Sequence, residues 1–282
     1  MENHQTILQI EVDGRPVAIH ARTRGHGPTI LFVHGWLASN HIWKDVFDRL
    51  PETCHLVAID LPGFGQTPPL PNGPTTIAQY ASIIAKVADR LSAEGFIQLV
   101  VADSLGAITV LHLMQTAPLP AGAVMLSGCP IDGLPKGLSV LKRKGVVGGL
   151  LRMLQKLPVD VYHRVARGYT RVRGKDPQVM QPQVADAARA AEPDTAEQLL
   201  RELFTPVSLE TPVVNGAIAA LVVRGQNDHI APAESARKLA AYLNARYLEI
   251  DHCGHTLMME NPDAYADAIR SILDRNSDTD SR

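Results

Sequence analysis

The stretch Leu99-Val100-Val101-Ala102-Asp103-Ser104-Leu105-Gly106-Ala107-Ile108 decides how the rest of the chain is read. Residues 97–102 form an apolar run that predicts a buried strand, and Leu105, Ile108, Leu111 and His112 follow at helical spacing. Only a few residues separate the two, so the chain reverses sharply at Ser104. Such a turn holds its central residue in a strained backbone conformation and needs small residues two positions before and after it. Ala102 and Gly106 occupy those positions. The turn lifts the Ser104 hydroxyl above the sheet, beside the positive end of the following helix. The same string also fits an ordinary strand-to-helix connection with a capping serine, so the flanking sequence must decide between the two.

Working outward, residues 7–12 and 17–22 flank Asp13-Gly14 and predict an antiparallel hairpin. Residues 29–33 and 55–59 are apolar runs expected to be strands, the first buried on both faces. Between them Ser39 or Asn40 is placed to cap a helix that buries Trp43, Val46, Phe47 and Leu50. Residues 76–91 carry apolar side chains at helical spacing, and residues 121–126 read as another strand. After a break, residues 217–223, 233–243, 245–250 and 261–273 predict strand, helix, strand and helix. Strands alternating with helices indicate an α/β protein with a doubly wound, mostly parallel sheet. Ligands gather at the carboxyl ends of such strands, where His34, Asp60, Ser104 and Ser127 all fall.

The alternation lapses over residues 131–212. That segment predicts helices at 138–157, 159–168, 182–191 and 195–204, punctuated by Pro and Gly. We therefore expect a core of residues 1–130 and 213–282, with residues 131–212 inserted as a mobile helical cap over the strand ends. Charge is unevenly spread in the cap. Residues 136–175 hold eleven Lys and Arg against Asp160 alone, and residues 176–210 hold seven Asp and Glu against Arg189 and Arg201. Either the two halves attract each other, or the basic half meets an anionic partner such as an acyl carrier protein, coenzyme A or an anionic lipid surface.

Bulk properties narrow the classes. A hydrophobic content of 45% with 20% charged residues is ordinary for a soluble globular chain of 282 residues. A net charge of −2 carries no nucleic-acid signature. No apolar run is long enough to span a bilayer, and the first five residues resemble no signal peptide, so a cytoplasmic location is expected. The three cysteines, Cys54, Cys129 and Cys253, have no metal-ligand spacing and read as reduced thiols. No metal or cofactor is expected, and residues 276–282 read as a disordered tail.

Over nearly all of its core the chain resembles the α/β-hydrolase fold family. His34-Gly35-Trp36 is similar to the family's HG-x loop after the third strand. Asp60-Leu61-Pro62-Gly63-Phe64-Gly65-Gln66-Thr67 is similar to its D-x-x-G-x-G-x-S loop, with Thr67 for Ser. Ala102 to Gly106 matches the G-x-S-x-G nucleophile elbow with Ala102 for the first Gly. Arg224-Gly225-Gln226-Asn227-Asp228-His229-Ile230-Ala231-Pro232 is similar to the loop carrying the acid, and Asp251-His252-Cys253-Gly254-His255-Thr256 to the loop carrying the base. Several motifs in one fixed order are far more specific than any single one.

The resemblance implies a catalytic triad of Ser104, Asp228 and His255, and an oxyanion hole from the backbone N–H groups of Trp36 and Leu105. The chemistry fits: a serine hydroxyl needs a base to take its proton, and a carboxylate to orient that base and stabilise its cation. Asp132 and Asp251 stay open as rivals for the acid. His34 and Asp60 are expected to prop loops. Asp103 is expected either to meet a polar substrate group or to face solvent. The implied activity is hydrolysis of an ester or thioester with an apolar acyl part. A carbon–carbon hydrolase, a lactonase, a cofactor-free perhydrolase or haloperoxidase-like enzyme, and a non-hydrolytic binding scaffold are the alternatives.

Overall fold

The hairpin at the start is longer than its turn signals suggest. Strands β1 (His4–Val12) and β2 (Arg15–Arg24) pair antiparallel about Asp13 and Gly14, both at positive φ, as a tight two-residue hairpin requires. Strands β3 (Thr29–Val33) and β4 (His55–Ile59) follow. The helix expected between them is shorter than predicted: a 3-10 turn (Asn40–Trp43) runs into the four-residue helix α1 (Lys44–Phe47). The Leu50 N–H bonds the Phe47 carbonyl, a tight closure just before Pro51, where a helix cannot continue. Trp43, Val46, Phe47 and Leu50 are buried all the same.

Helix α2 (Ile77–Ser92) starts at a capping box of Thr76 and Gln79. Strand β5 (Ile97–Asp103), helix α3 (Leu105–Thr116) and strand β6 (Ala123–Ser127) complete the first half of the core. The second half is β7 (Ala219–Gly225), α8 (Ala233–Tyr242), β8 (Arg246–Ile250), α9 (Leu257–Glu260) and α10 (Pro262–Thr279). The last helix reaches into the tail expected to be disordered. The fold described here is a computed structural model, and it describes residues 3–73, 75–172, 182–214 and 218–279. The expected first residues of β7, the tail beyond Thr279 and the charges of residues 173–181 lie partly or wholly outside these.

Among the described residues one sheet holds the eight strands in the order β1-β2-β4-β3-β5-β6-β7-β8. Strands β3 to β8 pair in parallel, while β2 joins β4 antiparallel. Side chains alternate between two cores. Leu31 and Val33 face a cluster shared with α2 and α3, and Ile30 and Phe32 face one shared with α1 and α10. The chain passes from β3 to β4 on one side and returns to β5 on the other, which puts a topological switch point at the ends of β3 and β5.

Helices inserted between β6 and β7 form the cap: α4 (Val146–Gln155), α5 (Val159–Val172), α6 (Pro182–Ala190) and α7 (Pro193–Glu202), preceded by a 3-10 turn (Lys136–Lys142). The single helix expected over residues 138–157 is broken because Gly145 takes φ +85°, and α4 begins anew after it. Buried Glu197 accepts from the N–H groups of Gly145 and Gly148 at 2.6 and 2.8 Å and caps that new start. The two charged halves meet in an exposed pair, Arg152 with Asp194 at 2.5 Å. Lys142, Arg143 and Lys144 are exposed and form no ion pair among the described residues.

Candidate active site

Ser104 stands between β5 and α3 at φ +52° and ψ −113°, a conformation an L-residue holds only under strain. The reversal demands close packing. A Cβ on Gly106 would lie 2.7 Å from the carbonyl oxygens of both Val33 and His34, so only glycine lets α3 start this near β3. A Cβ on Gly35 would lie 3.0 Å from the Ser104 Cβ, so the loop after β3 rests directly on the turn.

Ser104 Oγ lies 2.9 Å from His255 Nε2, and His255 Nδ1 lies 2.9 Å from Asp228 Oδ2. A carboxylate only accepts, so Nδ1 carries the ring proton and Nε2 is left to accept from the Ser104 hydroxyl. The second Asp228 oxygen accepts from the N–H groups of Ile230 and Ala231 at 2.8 and 3.0 Å. Burial alone would push the Asp228 carboxyl up; the His255 charge and hydrogen bond, with those two N–H groups, outweigh it and hold it below the usual range. Asp132 is elsewhere. It accepts from the Ser235 hydroxyl and lies 3.9 Å from Lys238 Nζ, its side chain half exposed. Asp251 is exposed.

The N–H of Leu105 opens α3 and has no partner within the helix. Trp36 follows Gly35 on the adjoining loop, and among the described residues no acceptor takes its N–H. His34 fixes this loop: its Nδ1 donates to the Gly35 carbonyl at 2.8 Å, and its Nε2 accepts from the Leu61 N–H at 3.0 Å. Burial pushes the His34 imidazole pKa down, which keeps it neutral for that double role. Asp60 spans two loops, accepting from Asn40 N–H at 2.6 Å and Gln66 N–H at 2.9 Å. Asp103 does not face solvent. It is 5% exposed and accepts from the Ser127 hydroxyl at 2.9 Å.

The profile of the Alpha/beta hydrolase family matches residues 30–268, which takes in the parallel part of the sheet from Ile30 on, the cap and Ser104, Asp228 and His255, and leaves the opening hairpin β1–β2 outside. The chain belongs to the alpha/beta hydrolase family. It is 24% identical over 270 residues to the pimeloyl-[acyl-carrier protein] methyl ester esterase of Nitrosomonas europaea, covering 90% of this chain and 99% of that one. It is 25% identical over 265 residues to the enzyme of the same name from Xanthomonas campestris, covering 90% and 98%. Its structure is similar to that of an esterase from Thermogutta terrifontis, with a TM-score of 0.76 at 19% identity over 97% of this chain and 99% of that one.

Two contacts of this alpha/beta hydrolase escape a reading of local motifs. Arg224 ends the apolar run of β7, 5% exposed, and donates to the Asp228 carbonyl at 3.0 Å and the Ala231 carbonyl at 3.2 Å. It holds the loop that presents Asp228, and a charged residue closing a buried strand was the available signal. The Trp36 indole donates to the Ala196 carbonyl of α7 at 2.8 Å. That contact ties the loop beside Ser104 to the cap across 160 positions of sequence, beyond the reach of any local pattern.

Proposed function

We propose that the protein is a serine hydrolase that cleaves an ester of an apolar acyl group through an acyl-enzyme on Ser104. The observation that carries the reading is the unbroken chain from Ser104 Oγ through His255 to Asp228, with both contacts at 2.9 Å. His255 Nε2 takes the hydroxyl proton as Ser104 Oγ attacks the ester carbonyl. Negative charge then grows on the carbonyl oxygen, where the N–H groups of Leu105 and Trp36 stabilise it. The imidazolium returns its proton to the departing alcohol, and a water activated by His255 releases the acid. Asp228 keeps the ring in the required tautomer and offsets its positive charge.

The acyl part is inferred from the cap, whose α4 and α7 bury apolar side chains in the cluster they share with β3 and β5, α7 being bonded to the loop after β3. An ester whose acyl chain rides on an acyl carrier protein suits two features together. Relatives that match this chain almost end to end are named for esters of that kind. Lys142, Arg143 and Lys144 expose positive charge on the cap, complementary to an anionic carrier. Turnover of p-nitrophenyl esters of graded acyl length tests the reading. Activity should rise with chain length, and Ser104→Ala should lower it by roughly 10⁶. Undiminished turnover in that variant would refute the mechanism, and indifference to chain length would refute the apolar acyl part.

A further inference from the structure

We propose that Asp103 is a second carboxylate serving His255: a buried anion near the Nδ1–Cε1 edge of the imidazole that stabilises the cation formed when the ring takes the Ser104 proton. This makes Asp103 a positioning residue, and it rests on the serine-hydrolase reading above. Asp103 itself exchanges no proton: the Ser104 O–H bond breaks, the bond to the substrate carbonyl forms, and the proton moves to His255 Nε2.

The placement is unusual for an acid. Asp103 follows Leu99 and Val101 on one face of β5, so its carboxylate enters the core built from Phe32, Trp43, Met125 and Tyr265. An ionised group there is costly unless hydrogen bonds hold it. A chain of them is present. Ser127 has one hydroxyl proton with two acceptors in reach, Asp103 Oδ1 at 2.9 Å and the Ala102 carbonyl at 3.3 Å, and the nearer carboxylate takes it. Its oxygen therefore accepts from the Tyr265 hydroxyl, 2.8 Å away and with no solvent exposure. Burial, reinforced by the Asp103 charge, pushes the Tyr265 phenol well up, so it stays protonated and donating. Each donor in the chain points toward the carboxylate, the arrangement that suits an anion at its end.

The second element is the gap between Asp103 and His255. Gly128 follows Ser127 at φ +52°, and its N–H is held by the Val223 carbonyl at 3.1 Å. A Cβ on Gly128 would lie 3.0 Å from His255 Cε1, 3.1 Å from Nδ1 and 3.3 Å from Asp103 Oδ1. The ring edge and the carboxylate thus both border the small space that glycine leaves free. At such range an opposite charge favours the charged form of its neighbour. The other ionisable groups on the elements packed here do not compete. Asp228 is the hydrogen-bonded partner on Nδ1. Burial first and then the Asp103 charge push the Cys129 thiol far up, so it is neutral. Burial holds His34 neutral. Glu260 of α9 accepts from the N–H groups of Gly254 at 2.5 Å and Thr256 at 3.2 Å.

The test is Asp103→Asn, which keeps the shape and removes the charge, read by pH profiles of kcat and kcat/KM on a neutral ester. Turnover should fall by roughly tenfold or more, KM should stay within about twofold, and the acid limb should move down by about one pH unit. A profile that superimposes on the wild type, with only stability lowered, would make Asp103 structural and overturn the proposal. If Asp103→Asn does not fold, Asp228→Asn gives the answer with Asp103 intact. The acid limb of its residual activity should move down from the wild type by no more than about one pH unit, because the imidazole still has an anion beside it; a larger shift would overturn the proposal. Fluorophosphonate labelling of wild-type Ser104 reports separately on the underlying mechanism.

Discussion

At the scale of single residues, the proposed mechanism makes the contact between His255 and Asp228 the one that should set both rate and pH response. Asp228→Asn should leave the fold largely intact and lower turnover by roughly 10⁴, because the imidazole loses the charge that orients it and adopts the wrong tautomer. The acid limb of the pH–rate profile should move lower, since the histidine cation loses a partner. Asp132→Asn should do neither, given that Asp132 lies against Ser235 and Lys238. Stability carries the same signature. The folded Asp228 carboxyl lies below its ordinary value of 3.8. A depressed carboxyl contributes stability that is fully present above the unfolded value and is lost as pH falls through the folded one. Urea denaturation of Asp228→Asn should therefore show a flatter decline than the wild type below about pH 4. Ser104, Asp228 and His255 were legible in the sequence because each sits in a short motif directly after a strand. Tyr265 and Arg224 were not, since their partners come from other strands and loops and no spacing announces them.

At the scale of elements, the strands were the most legible part, because an apolar run of five residues between turn signals has few other readings. Helix lengths were less so. The helix expected to reach Leu50 ends at Phe47, and the one expected over residues 138–157 is interrupted by extended Arg143 and by Gly145 at positive φ, breaks that side-chain periodicity does not reveal. The cap is also less loosely hung than an insertion suggests. Helix α7 is fastened by the Trp36 indole on Ala196, by the Glu192 N–H on the Gly63 carbonyl at 2.8 Å, and by Glu202 accepting from the Ile77 N–H at 2.8 Å. The exposed basic residues lie away from these ties, on the 3-10 turn and just beyond it. Reversing the charge of Lys142, Arg143 and Lys144 together should weaken activity on an acyl-carrier-linked ester about tenfold or more and spare small neutral esters. Steady-state kinetics on the two substrate types, repeated at higher salt, check this. Equal losses on both would assign these residues to the cap's own architecture.

At the scale of the whole molecule, the sheet separates two cores, and the cap extends one of them. Val147, Leu151, Ala196, Leu199 and Leu200 belong to the same cluster as Leu31, Val33 and Ala102. The cap and the sheet therefore share buried surface and should unfold together. The cysteines report on this. Cys54, Cys129 and Cys253 form no disulfide and are buried at 8%, 4% and 1% exposure. Burial pushes the Cys54 and Cys129 thiols up, which further slows their reaction. A thiol reagent should modify the native protein slowly and take up three equivalents only across the urea transition. Rapid labelling without denaturant would show that one core opens independently. Among the described residues no helix is long and apolar enough to cross a membrane.

The covalent step on Ser104 is the claim on which the rest depends, and mass spectrometry of the protein after fluorophosphonate treatment tests it most directly. One adduct per chain, carried by the peptide that contains Ser104 and absent from Ser104→Ala, is the predicted result. An adduct on another residue, or none at all while esters are still turned over, would contradict it.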